Sequence, residues 1–106
     1  MSARVDDPIQ RLSKTLFGQV HRLSVMMWIA DSDGLINPGD LAVELGFRAQ
    51  SAVQAPLRDL EDARLIVRLP TQAGRTYYER VDSLAWPWVQ ELAAQLREAS
   101  PQRLTD

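Results

Sequence analysis

Cysteine is absent from this sequence, and histidine occurs only once, as His21. The absence of cysteine excludes disulfides, thiolate metal sites and cysteine nucleophiles. His21 is near polar neighbours and is expected to be a solvated surface residue. The last predicted helix carries only two acids, Glu91 and Glu98, seven residues apart, which is not a metal-ligand cluster. A lone histidine and scattered serines form no nucleophile–base pair. We therefore expect a protein that binds no metal ion or cofactor and has no enzymatic activity.

Long apolar runs are also absent. No stretch approaches membrane length, and the opening residues MSARVDD lack the apolar core of a secretion signal. We therefore expect a soluble cytoplasmic protein. The 106 residues suffice for one domain with a modest core. That domain is predicted to span residues 7–99, with flexible polar termini at 1–6 and 100–106.

An excess of positive charge is lacking overall, because the net charge is −2. This value argues against a strongly nucleic-acid-binding protein. The distribution is uneven, however. Residues 47–80 contain six arginines against four acids, a net charge of +2, whereas the segments before and after each have a net charge of −2. Such an excess can arise by chance, but it makes this segment the better candidate for contact with a polyanion.

Apolar residues at steps of three or four predict that most of the chain is helical. Asp7 is expected to cap a first helix that Pro8 opens, since proline at the first helical position loses no hydrogen bond. Gly18 interrupts the apolar stripe and divides it into two helices, predicted over 8–17 and 19–31.

A short helix, a turn and a second helix follow. Asn37 is expected to cap the short helix, and Gly46 to end it in the left-handed conformation. The residues FRAQ form the turn. Ser51 and Gln54 then have the spacing of a capping box at the start of a helix over 51–63.

Branched and aromatic residues predict two strands after these helices, over 65–69 and 75–80, joined by a turn at 71–74. A two-residue strand at 35–36 is a further expectation. The chain then closes with a helix over 83–99, whose apolar stripe has coiled-coil-like spacing. This order predicts a mainly α fold with a small β-hairpin (α+β): a helix-turn-helix with the hairpin attached. A helix presented in this way is shaped to enter the DNA major groove.

Several segments together resemble winged helix-turn-helix transcriptional regulators of the ArsR and MarR type. They are LFGQVHRLSVMMWIA, DLAVELGF, SAVQAPLRDLEDARLIV and GRTYYERVD, which cover about residues 16–96. The resemblance implies a homodimer that places two recognition helices about one DNA turn apart, ~34 Å. It also implies that residues 51–63 form the recognition helix and that the hairpin forms the wing.

The resemblance further implies particular DNA contacts. Glutamine can bond adenine, and arginine can bond guanine through O6 and N7. The base-facing candidates are Gln50, Ser51, Gln54, Ala55 and Arg58. The candidates for phosphate contact are Arg48 in the turn, Arg75 at the wing tip, and Arg68 and Arg80 along the wing strands.

Three features depart from the family pattern. Pro56 falls inside the recognition helix, which predicts a late helix start or a kink. Arg64 stands where the family usually has glycine, and because an arginine in a left-handed cap costs roughly 1–2 kcal/mol, a reshaped helix end is expected there. The turn before Ser51 is one residue longer than in ArsR-type relatives, which shifts the base-reading positions by one.

The tryptophans bear on self-association. Trp28 is expected in the core, whereas Trp86 and Trp88 are two residues apart and cannot share one helix face, so at least one is expected to be exposed. The predicted dimer interface combines the first helices with the last one. Its candidate residues are Leu12, Leu16, Trp88, Leu92 and Leu96.

Two functions therefore remain open. The first is a sequence-specific double-stranded DNA-binding regulator, a repressor acting as a homodimer, for which the sequence indicates no small-molecule effector. The alternative is a winged-helix protein–protein interaction module without productive DNA binding. The overall acidity, the acids in 51–63 and Pro56 favour this alternative.

Overall fold

The computed structural model describes residues 7–98. The predicted flexible termini at 1–6 and 100–106, together with Ala99, lie outside this range. The elements are α1 (Pro8–Phe17), α2 (Arg22–Asp31), β1 (Leu35–Ile36), α3 (Pro38–Glu44), a 3-10 turn (Gln50–Val53), α4 (Gln54–Asp62), β2 (Ile66–Arg68), β3 (Tyr78–Arg80) and α5 (Ala85–Glu98). Within 7–98, no helix has both the length and the apolar character needed to cross a membrane.

The boundary between α1 and α2 is close to the prediction. The Asp7 side chain accepts hydrogen bonds at the start of α1, and Gly18 ends it with φ +72°. The second helix begins three residues later than predicted, because Ser13 organises the connection between them. The buried Ser13 hydroxyl donates to the Gln19 carbonyl and accepts from the Leu23 N–H at 3.0 Å.

The short helix α3 has the predicted ends. The Asn37 Oδ1 atom accepts from the N–H groups of Gly39 and Asp40, at 2.8 and 3.1 Å. At the other end Gly46 adopts φ +75°, and the Phe47 N–H bonds the Ala42 carbonyl at 2.9 Å. This is the pattern of a Schellman-type cap.

The start of α4 corrects the sequence prediction. The expected capping box of Ser51 and Gln54 is wrong, because residues 50–53 form a 3-10 turn without a side-chain cap. The α-helix begins only at Gln54. Pro56 therefore lies in its first turn, where an amide N–H would have no partner within the helix. Of the two outcomes predicted for Pro56, the late start is the one observed.

The three strands form an antiparallel sheet in the order β1-β3-β2. Ile36 and Arg68 both pair with Tyr78, whereas Leu35 and Val67 both pair with Glu79. The regular strands are shorter than predicted. The hairpin nevertheless continues toward its tip through a Leu69 N–H to Tyr77 carbonyl bond and a bridge between Gln72 and Arg75.

The core is built around α2, which packs against α5, α1 and α4. Trp86 is buried and donates its indole N–H to the Val81 carbonyl at 2.8 Å, whereas Trp88 is exposed. The prediction that one of this pair is exposed is confirmed. Trp28 is half-buried and packs against the core. Its indole N–H donates to Glu44 at 2.7 Å.

The left-handed backbone conformation of Arg64 at the end of α4 carries an energetic cost that a substitution can measure. It has φ +66°, and the following Leu65 N–H bonds the Leu60 carbonyl at 2.9 Å, so the residue occupies a left-handed cap that glycine prefers. We predict that Arg64→Gly raises the free energy of unfolding by about 1 kcal/mol. Chemical denaturation measures this change. The control Ala63→Gly, at φ −80°, is expected to lower stability by roughly 0.5–1 kcal/mol. A loss of stability with Arg64→Gly would contradict the assignment of backbone strain.

Candidate nucleic-acid interface

One face of α4 is buried and the opposite face is open to solvent. Leu57 and Leu60 of this helix are buried in the core, together with Val53 at the end of the preceding 3-10 turn. Gln54 and Arg58, one helical turn apart, are exposed on the outside. The other base-facing candidates, Gln50, Ser51 and Ala55, are exposed as well. The structure therefore presents all five predicted base-facing side chains at the surface.

An open cleft of about 590 Å³ lies between the start of α3, the start of α4 and the hairpin. Gln50 and Gln54 line it from the helical side, and Arg68 and Arg75 from the hairpin. The Arg68 guanidinium carbon is 5.6 Å from the centroid of the Tyr78 ring. The cleft thus joins two base-facing candidates to two phosphate candidates, with mostly polar walls.

Two of the three acids of α4 are paired with arginines from other elements. Asp59 accepts a hydrogen bond from Arg22 on α2, and Glu61 pairs with Arg68 on β2 at 3.0 Å. The hydrogen bond to Glu61 raises the pKa of Arg68 above its ordinary value. Within residues 7–98, Arg58 forms no ion pair, although the acids Asp59, Glu61 and Asp62 lie close to it in sequence.

Arg80 corrects the sequence prediction. It was expected to meet DNA phosphate, but its Nη1 atom donates to the carbonyls of Ile29, Ala30 and Ser32 at 2.8, 3.1 and 3.2 Å. These carbonyls belong to the C-terminal end of α2, where a positive charge also suits the helix dipole. Arg80 therefore caps α2 from the sheet and is not available as a phosphate contact.

Arg48 is exposed in the turn after α3, outside the cleft lining. Sequence reasoning took Asn37 only as a helix cap and gave Thr76 no role, yet both line the cleft. It also gave no role to Arg22. A cap residue gives no signal of a second role, and the partner of Arg22 is 37 positions away. Such pairings become visible only in three dimensions.

His21 also corrects the prediction of a solvated surface residue. It is half-buried, with its ring centroid 4.6 Å from that of Phe47. The Nδ1 atom is buried and has no hydrogen-bond partner within the described range. The cause is the turn after α3, which places Phe47 over the start of α2. Among residues 7–98 no group of three potential ligands is arranged to hold a metal ion.

The predicted dimer residues lie on α1 and α5. Leu16 and Trp88 are 45% and 42% exposed, and the other three are half-buried: Leu12, Leu92 and Leu96. The ring of Trp88 packs edge-on against Phe17 with centroids 6.2 Å apart. This contact connects the apolar surface of α5 with the end of α1.

The fold and the outward α4 beside a hairpin define a winged helix-turn-helix protein, in which β2 and β3 form the wing. The sequence model of the MarR family matches residues 19–75, more than half of the chain. The chain belongs to the MarR family of winged helix-turn-helix transcriptional regulators.

Solved structures share this fold. A double mutant of ZitR from Lactococcus lactis in apo form matches with a TM-score of 0.64 at 17% identity, over 96% of this chain and 76% of that one. The MepR–DNA complex of Staphylococcus aureus matches with a TM-score of 0.64 at 16% identity, over 92% of this chain and 73% of that one. A further structure of MepR, a transcription regulator of the multidrug efflux pump MepA, matches with a TM-score of 0.58 at 19% identity. The match covers 98% of this chain and 84% of that one. No curated protein matches the sequence.

The role of Arg80 can be tested by its removal. We predict that Arg80→Ala lowers the free energy of unfolding by roughly 1–3 kcal/mol, because three helix-end carbonyls each lose a hydrogen bond from a charged donor. Thermal and chemical denaturation measure the loss. The matched control Arg75→Ala, at the exposed wing tip, is expected to stay within about 0.5 kcal/mol of the wild type. Equal stability of the two variants would contradict the capping role.

Proposed function

We propose that this chain binds double-stranded DNA sequence-specifically as a homodimer and represses transcription by occupying a promoter. The observation that carries the proposal is the exposed row of Gln54 and Arg58 on α4. The buried stripe on the other face of the helix holds this row outward, and the row adjoins a cleft with arginines on its far wall.

Base reading follows from the chemistry of this row. A glutamine amide can bond adenine N6 and N7 together, and an arginine fork can bond guanine O6 and N7. Each such pair discriminates by about 1–3 kcal/mol. Gln50, Ser51 and Ala55 extend the row toward the 3-10 turn, where Ala55 offers an apolar contact to a thymine methyl group.

The cleft is suited to one strand of the DNA backbone. When α4 occupies the major groove, the sugar-phosphate strand beside the groove passes between α4 and the wing. Arg75 at the wing tip and Arg68 at the rim then supply cations to phosphates, and Arg48 does so from the turn. The comparison supports DNA as the partner, because MepR shares the fold and has been solved as a DNA complex.

A second copy of the chain is the proposed partner of α1 and α5. Leu16, Val20, Leu84 and Trp88 are all exposed on or beside these helices, and Leu84 is 86% exposed. Apolar residues in such number are typical of an interface. A two-fold dimer would place the two α4 helices on successive major-groove faces of one duplex.

Selection of bound fragments from a random duplex pool tests the proposal. The expected result is a two-fold symmetric consensus with half-sites about 10 base pairs apart. The protein should bind random duplex at low salt and should lose this binding as salt is added. Failure to bind any duplex at low salt would overturn the proposal and favour the protein–protein interaction module instead.

Arg75→Ala is predicted to weaken binding to selected and random duplexes by a similar factor, since a phosphate contact carries no sequence information. The slope of log affinity against log salt should fall by about 1. Titration of labelled duplex at several salt concentrations measures both effects. Arg11→Ala, an equal change of charge on the exposed side of α1, is the control and should leave the slope nearly unchanged.

Gln54→Ala is predicted to act on the consensus alone. Affinity for the selected duplex should fall by about 1–3 kcal/mol, and the preference at one base position should relax. Affinity for random duplex should hardly change. Gln95→Ala, an exposed glutamine on α5, serves as the control. A uniform loss on all duplexes would show that Gln54 contacts the backbone rather than a base.

A further inference from the structure

An ion pair ties α4 to the core helix α2. The Arg22 Nη2 atom donates to Oδ2 of Asp59, and the side chains are 24% and 42% exposed. Arg22 is itself held in place, because its guanidinium carbon is 5.7 Å from the centroid of the Phe17 ring. Phe17 in turn packs against Trp88. The cation that meets Asp59 therefore rests on an aromatic support built by α1 and α5.

Stability alone does not account for this pair. A partly exposed ion pair contributes little to folding, and many contribute nothing measurable. Asp59 moreover directly follows the base-facing candidate Arg58, on the helix proposed to approach a polyanion. A carboxylate at that place repels phosphate. Its presence is unfavourable for DNA binding unless it contributes something else to the site.

Orientation is what the pair can contribute. The buried residues Val53, Leu57 and Leu60 hold α4 against the core by apolar packing, which is non-directional. A hydrogen-bonded ion pair has a defined geometry and lies on the flank of the helix. On the other flank Glu61 pairs with Arg68 of the wing. The two pairs brace α4 from both sides, against the core and against the wing.

We infer that Arg22 and Asp59 are positioning residues for DNA reading. Apolar burial sets which face of α4 points outward, and the pair restrains the small rotation of the helix about its axis that remains, so that Gln54 and Arg58 reach base edges in register. This inference rests on the proposed function and deepens it. It assigns sequence discrimination partly to two residues that need not touch a base.

The variant Asp59→Asn separates positioning from simple electrostatics, because the two predict opposite signs for the selected duplex. Loss of a negative charge should tighten binding to random duplex by about twofold at low salt. Loss of orientation should weaken binding to the selected duplex by about fivefold to tenfold. The ratio of the two affinities should therefore fall by about tenfold or more.

Asp62→Asn is the matched control. Asp62 is exposed on the same helix and forms no ion pair within residues 7–98. The charge change is identical, so both duplexes should bind slightly more tightly and the ratio should not move. The double variant Arg22→Gln with Asp59→Asn should have the same ratio as Asp59→Asn alone, because either substitution removes the pair.

The outcomes distinguish this inference from the proposed function. If the pair only stabilised the fold, its loss in Asp59→Asn would lower the folded fraction. Binding to both duplexes would then fall alike, and the ratio of the two affinities would not change. If the wild type binds its selected duplex and Asp59→Asn keeps the wild-type ratio, as Asp62→Asn does, the positioning role is overturned and DNA binding stands. A wild-type chain that retards no duplex overturns both.

Discussion

The burial of one apolar stripe on α4 is the constraint on which the interface depends. Val53, Leu57 and Leu60 are buried among the residues of the core. Fully burying such side chains contributes roughly 1.5–3 kcal/mol each. Because an α-helix repeats every 3.6 residues, this burial fixes Gln54 and Arg58 on the opposite side. The outward polar row is therefore a consequence of core packing. Turning Arg58 inward would bury an unpaired charge, which is far more costly than the contacts it would gain.

The paired acids explain how an acidic helix can face DNA. From the sequence, the acids of α4 favoured a protein–protein module, because they would repel phosphate. In the structure Asp59 and Glu61 are each paired with an arginine from another element, Arg22 or Arg68. Their negative charge is balanced locally, and the same pairs restrain the helix on both flanks. The acidity of this segment is thus compatible with the DNA-binding function.

Features set by a few neighbouring residues could be predicted from the sequence. The caps at Asp7 and Asn37 were predictable because each cap and its partners lie within three positions. The end of α4 was predicted wrongly, because the cost of a left-handed arginine favoured a reshaped helix end, yet Arg64 adopts φ +66°. Features set by distant contacts could not be predicted. His21 is half-buried because Phe47, 26 positions away, packs over it. The capping-box pattern at 51–54 was misleading, because the chain forms a 3-10 turn there.

The wing arginines differ in role because they lie at different depths in the sheet. Arg80 pairs with the buried Ile66, so its side chain lies near the core and caps α2. Arg68 lies at the rim, shared between Glu61 and the cleft, and Arg75 is exposed at the tip. A count of six arginines in 47–80 therefore overstates the charge that DNA can meet. With the electrostatic share of binding reduced in this way, discrimination between sequences depends the more on how accurately α4 is held.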